Sequence, residues 1–304
     1  MVRGKLRGVK SPGSSVESFL KFVEERHAIY VRRHRGDPWP WTDDPILRDY
    51  KFTNVFRELD IGTVYCRESI REPYANHPEL FFNIAMYRLF NWIPTFETIG
   101  FVEEFDRSYT DKVVRKMRRN GEQIFTGAHM ITGTLGGDKI HQVVDICLPQ
   151  LWKNRRTLEP RIGDTLEMAF KRLCKKSPGY GAFIAYEVIT DLRWTRYLEN
   201  ATDKNTWANP GPGACRGIHR IRGMDIAPKF QMAQVEYIKI MRELLEASGK
   251  LPGWIPSLEM RDIEHSLCEY DKYERARLGQ GRPRSRFVPP HLREIDELTV
   301  DIDD

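Results

Sequence analysis

Apolar positions recur at three- and four-residue steps along most of the chain. From the start, Val16, Phe19, Leu20, Val23, His27, Tyr30 and Val31 mark one face of a helix that Gly36 ends, and Ser14 with Glu17 has capping-box spacing. The stretch 37–45, DPWPWTDDP, reads as a rigid connection. Asp44 can then cap and Pro45 open a second helix, which the pattern carries without a break through residue 70. Further helical patterns fall at about 78–92, 108–119, 138–152, 164–176, 182–197, 228–247 and 258–277, joined mostly by short Gly, Pro or Asn breaks. Alternation over four or more residues scarcely appears. The pattern therefore predicts an all-α bundle of eight to ten helices, with no internal repeat.

Composition narrows the class. A chain of 304 residues can bury a large core without staples. No run approaches the ~18 apolar residues of a membrane span, and the first fifteen residues lack the apolar core of a signal peptide, so a cytoplasmic protein is expected. The five cysteines (66, 147, 174, 215, 268) are too scattered for a disulfide framework or a paired zinc knuckle. Charge is more informative than its total of +5. Residues 294–304 hold six acids and no base, so the rest of the chain carries 48 bases against 37 acids, a net +11. A basic body suits a polyanion, with an acidic tail able to compete for the same surface; an ordinary enzyme surface is the alternative. The expected organisation is a basic arm over 1–14, a helical domain over 15–287 and an acidic tail over 288–304.

The sharpest local signal is residues 165–192, TLEMAFKRLCKKSPGYGAFIAYEVITDL. A basic-ended amphipathic segment, a Pro-Gly-Tyr-Gly turn and a second segment with small residues at Ala182 and Ala185 resemble the helix-hairpin-helix of the base-excision DNA glycosylase superfamily. In that reading Gly179 and Gly181 admit a phosphate to the backbone, Tyr180 lies at the turn, and Lys175 and Lys176 add charge. A plain turn between packed helices is the alternative. Phe183 stands where glycosylases with lyase activity carry a Schiff-base lysine, which disfavours a bifunctional glycosylase. Asp203 lies roughly where the superfamily places its catalytic aspartate.

Five ordered motifs point to a narrower group: TNVFRELD at 53–60, FTGAHMITG at 125–133, PGYGAFIAYEVITDLR at 178–193, TWANPGPGACRG at 206–217 and EHSLCEYDKYERARLGQGRPR at 264–284. Together, over roughly residues 20–287, they resemble the alpha-glutamyl/putrescinyl thymine pyrophosphorylases, a module also attached to 5-hydroxymethyluracil DNA kinases. The resemblance implies a step in phage DNA hypermodification. An amine, typically of an amino acid such as glycine, displaces pyrophosphate from an activated 5-hydroxymethyluracil in DNA. It implies three partners: DNA bearing the phosphorylated base, an amine donor and a separate kinase. The phosphate loop G-x-x-x-x-G-K-[ST] that a kinase would carry does not occur in this sequence. The nearest string, GTLGGDKI at 133–140, lacks the second glycine at its required place and the hydroxyl after the lysine.

Such a reaction needs an extruded base, a neutralised pyrophosphate and a proton acceptor. Tyr87, Tyr180 and Trp207 are candidate stackers or wedges, although aromatics in helical proteins more often fill the core. The segment 207–223 joins a Gly/Pro loop and Asn209 to Arg216, His219, Arg220 and Arg222, a set suited to a many-oxygened anion. On the predicted second helix Asn54, Arg57 and Asp60 form one stripe that could bind a carboxylate or phosphate, or be a solvated ion pair. The last motif brings Glu264, His265, Cys268, Asp271, Lys272 and Arg275, with Arg275 a candidate DNA contact and His265 and Lys272 candidate substrate contacts. His265 and Cys268 have metal-ligand spacing but no second pair, so no zinc site is expected. A divalent metal accompanying the pyrophosphate is the one cofactor left open. Asp60, Asp191, Asp203 and Asp271 are the candidate catalytic carboxylates, because partial burial would raise their affinity for a proton. Two rival readings stand: a monofunctional glycosylase using Asp203, and a non-catalytic DNA-binding partner of a kinase.

Overall fold

The computed structural model describes residues 15–127, 137–227, 230–283 and 285–289. The arm over 1–14, most of the acidic tail and part of the 125–133 motif lie outside these. Among the described residues the protein is all-α. It carries twelve α-helices, two π-helical segments and one 3₁₀ turn, and its one β-feature is an isolated bridge between Tyr50 and Arg286. None of these helices is long and apolar enough to cross a membrane. Two compact units divide the chain: Met1–Arg57 with Pro210–Asp304, and Glu58–Asn209.

The first unit begins with α1 (Val16–Arg35). Its N-cap is Ser15, whose hydroxyl accepts from Ser18 N, one residue later than the spacing suggested. Gly36 ends the helix in the left-handed conformation that glycine adopts without strain. Asp44 caps α2 (Pro45–Asp49) as expected, accepting from Ile46 N and Leu47 N. The predicted long second helix is not formed. After five residues the backbone of 49–51 turns to a distant partner: Lys51 N donates to Ser285 O and Phe287 N donates to Asp49 O. The unit is completed by α10 (Pro212–Ile221), α11 (Gln234–Ser248) and α12 (Met260–Arg277). The most extensive packing is between α10 and α12. A 2.8 Å hydrogen bond between the Ser18 and Tyr270 hydroxyls ties α1 to α12.

In the second unit α4 (Leu80–Phe90) is buried at every position, which makes it the central helix. Its polar side chains are matched inside the unit. Asn83 bridges Glu79 O and both backbone groups of Val102, and Tyr87 donates to Gly62 O at 2.7 Å. Around it stand α3 (Ile61–Cys66), α5 (Ile93–Ile99), α6 (Arg107–Arg119), α7 (Leu148–Leu158), α8 (Leu166–Lys176) and α9 (Ala182–Leu192). α8 and α9 pack as a hairpin across the Pro-Gly-Tyr-Gly turn. Gly179 is required there by its φ of +81° and by the Cys147 sulfur, which a Cβ would meet at 2.4 Å.

Candidate functional site

Four residues picked out by sequence come together in the first unit. Arg216 and Arg220 lie one turn apart on α10, and Asp271 and Arg275 one turn apart on α12. The helices approach this closely because α10 presents Gly213 and Gly217 to α12; a Cβ on Gly217 would stand 2.4 Å from the Leu267 carbonyl oxygen. Asp271, 1% exposed, accepts at 2.8 Å on each oxygen, from Arg220 Nε and Arg216 Nε. Arg275 Nε lies 3.8 Å away. One carboxylate thus braces two guanidiniums through their Nε atoms.

Arg216, Arg220 and Arg275 line a cavity of about 200 Å³ together with Asp225, Ile226, Ala227 and Gln280. Arg220 is itself 1% exposed. Its Nη1 donates to Gln280 Oε1 at 3.0 Å, while its Nη2 is buried with no hydrogen-bond partner among the described residues. An unmatched buried donor costs roughly 1–3 kcal/mol and is a place where an anionic ligand would complete the bonding. Asp225 is the one carboxylate in the lining, so the donor set suits an anion and does not suit a divalent cation alone. Sequence reasoning did not single out Asp225 or Gln280; nothing in their local spacing marks them.

The other sequence candidates occupy different places. The 207–223 segment is not a loop throughout, since it becomes helix α10 at Pro212. His219 on it turns away to Tyr237, with Nε2 2.7 Å from the hydroxyl, and burial followed by the Arg216 charge lowers its proton affinity. Arg222 pairs with Glu243 on an exposed surface. Lys272 pairs with Glu269 at 2.5 Å and lies over the Phe52 ring. Cys268 is exposed as a residue but packs its sulfur toward Gly213 of α10; desolvation there, and then Glu264, push the thiol up to about 12. His265 is half-buried on α12. The predicted Asn54–Arg57–Asp60 stripe does not exist as a helical face: Asn54 accepts from Arg26 Nη2 at 2.9 Å in the first unit, Arg57 begins a 3₁₀ turn, and Asp60 is the N-cap position of α3 in the second.

In the second unit, burial overturns three stacking expectations. Tyr87 and Tyr180 are core residues, the latter donating to Ala85 O at 3.1 Å, and Trp207 packs between Phe170 and Tyr186. Asp191 forms a fully buried two-point pair with Arg88 at 2.5 and 2.7 Å. Asp203 accepts from the backbone of Leu166 at 2.8 Å and Glu167 at 3.0 Å, which makes it a cap for α8. Both carboxylates have structural partners on both oxygens; Asp191 is buried, whereas Asp203 stays half-buried. At the hairpin, Lys175 is exposed and Gly181 precedes α9 with open space above its α-carbon; the Lys176 side chain lies outside the described residues. Asn209 donates to Ala182 O at 3.5 Å.

Fold and site define an all-helical protein with an arginine-lined cavity braced by one buried aspartate. The chain belongs to the family of 5-hmdU DNA kinase helical domains, whose model matches residues 14–282. A similar curated protein is the 5-hmdU DNA kinase of Bacillus phage SP10, 28% identical over 286 residues. The match covers 84% of this chain and 44% of that relative, so the chain spans under half of the relative's length. No solved structure matches.

Proposed function

We propose that this protein is a DNA thymine-hypermodification transferase. An amine displaces pyrophosphate from an activated 5-hydroxymethyluracil that has been turned out of the duplex. In that step the amine nitrogen forms a bond to the methylene carbon on C5 of the base, the carbon–oxygen bond to pyrophosphate breaks, and the nitrogen gives up one proton. The observation that carries the reading is the cavity lined by Arg216, Arg220 and Arg275, one of which, Arg220, has an unmatched buried Nη2. Guanidiniums held in place before the reaction stabilise charge as it develops on the leaving group, and Asp271 holds two of them. Asp225, the one carboxylate in the cavity lining, would take the proton. The phage relative, named as a kinase for 5-hmdU in DNA, supports the substrate class.

A second reading, a non-catalytic DNA-binding partner of a kinase, is favoured by the match to only part of that relative. The glycosylase reading draws less support, because each oxygen of Asp203 accepts from a backbone N–H at the start of α8. One assay separates them. The protein is incubated with DNA containing the pyrophosphorylated base and a pool of amino acids and polyamines, and the digested nucleosides are weighed by mass spectrometry. An adduct with released pyrophosphate is expected; abasic sites, or unchanged nucleosides despite binding, would overturn the transferase reading.

A further inference from the structure

Helix α6 of the second unit carries six cations, Arg107, Lys112, Arg115, Lys116, Arg118 and Arg119, divided in an orderly way. Thr110, Val114 and Met117 face the core. On one flank Arg115 pairs with Asp111 at 2.6 Å, Arg107 with Asp145, and Arg118 with Asp138. Lys112, Lys116 and Arg119 are exposed and have no ion pair among the described residues. They recur at four- and three-residue steps, which aligns them in one row on the side roughly opposite the buried one. Tyr109, half exposed, extends the row by one turn.

Like charges at this spacing repel by roughly 0.2–0.5 kcal/mol per pair. The helix dipole favours cations in the last turn, which accounts for Arg119 and Lys116, but it does not reach Lys112. Three acids neutralise one flank and none serves the row. With a rise of about 1.5 Å per residue, Lys112 to Arg119 spans about 10 Å, close to the three steps between four successive phosphates of one strand at ~3.4 Å each along the axis.

We infer that the Tyr109, Lys112, Lys116 and Arg119 row is a docking surface for the phosphate backbone of duplex DNA, separate from the arginine-lined cavity. It supplies sequence-independent affinity, with the Tyr109 hydroxyl able to donate to a phosphate or sugar oxygen. The inference rests on the reading of DNA as the substrate.

The test is fluorescence anisotropy with an unmodified duplex of about 20 base pairs, between ~50 and ~200 mM salt. The variant K112Q/K116Q/R119Q is compared with wild type and with the charge-keeping K112R/K116R/R119K; all positions are exposed, so folding should tolerate the changes. Neutralisation should weaken binding at least about tenfold and reduce the log–log salt slope by about 2–3, at ~0.9 per phosphate lost, while the charge-keeping variant binds as wild type. Equal affinity and slope for the neutralised variant, or equal loss in the charge-keeping one, would overturn the inference. The mass assay run on the same preparations distinguishes the two readings. Transfer with an unchanged salt slope sinks only the docking row, a changed slope without transfer sinks only the transferase, and a wild type that neither binds duplex nor transfers sinks both.

Discussion

At the scale of single residues, Asp271 shows how a site residue and a structural residue can be the same one. Both its oxygens are engaged by arginines, so it acts on an anion only through the guanidiniums it positions. Asp271→Ala would leave the buried Arg220 charge uncompensated, and breaking a buried pair in this way costs about 3–5 kcal/mol. Urea unfolding of that variant should show a loss of this size; a loss under about 1 kcal/mol would mean that solvent already reaches Arg220. Loss of activity in that variant would therefore not identify Asp271 as a proton acceptor. Asp262 is a different case. Burial raises its pKa from 3.8 to about 6, against the lowering effect of the Glu259 amide it accepts from. A carboxyl that holds its proton more tightly in the folded state stabilises the fold below about pH 4, and that contribution is lost as pH rises through about 6. The change is on the order of 3 kcal/mol. Asp262→Asn keeps the acceptor and removes the titration. The variant should match wild type near pH 4 and become the more stable of the two by pH 7 to 8; parallel stability–pH curves would refute the shift.

At the scale of elements, the cavity depends on two glycines. Replacing a helical glycine by alanine normally gains up to about 1 kcal/mol, but at Gly217 the new methyl group meets the backbone oxygen of Leu267, which has no rotamer to give way. Gly217→Ala should therefore cost about 1–3 kcal/mol, push α10 from α12 and weaken pyrophosphate binding measured by calorimetry. An unchanged pyrophosphate affinity would show that the arginines do not depend on that approach. The hairpin helices α8 and α9, the Asp44–Pro45 helix start and the Gly36 stop were all legible in the sequence, because caps, glycines and periodicity act within a few residues. Residues 45–70 were misread for the opposite reason. Phe52, Val55 and Phe56 keep an apolar rhythm, and no Gly or Pro interrupts it before Gly62, yet the backbone at 49–51 finds its partners at 285–287. Arg216, Arg220, Asp271 and Arg275 could be chosen as polar residues in motifs, but their meeting could not be read. It depends on a helix contact between segments some 50 residues apart, and the residues that complete the cavity, Asp225 and Gln280, carry no local mark.

At the scale of the whole molecule, charge is the quantity that no single contact reports. The total of +5 conceals +11 on residues 1–293, and each unit displays part of that excess: the arginines of the cavity in the first, the α6 row in the second. A polyanion feels such a field at a distance set by the Debye length, about 30 Å at 0.01 M salt and about 10 Å at 0.1 M. Six acids at 294–304 subtract from that field wherever they lie within this distance. A chain ending at residue 293 should bind unmodified duplex more tightly than the full chain at low salt, with the difference shrinking as salt is raised toward 0.2 M. Turnover per bound DNA should be unchanged, because the argument involves long-range attraction and none of the groups at the cavity. Equal affinities at both salt concentrations would mean that the acids do not sense bound DNA. A difference that persisted undiminished at high salt would replace the long-range field with a direct contact between those acids and the protein's own cations.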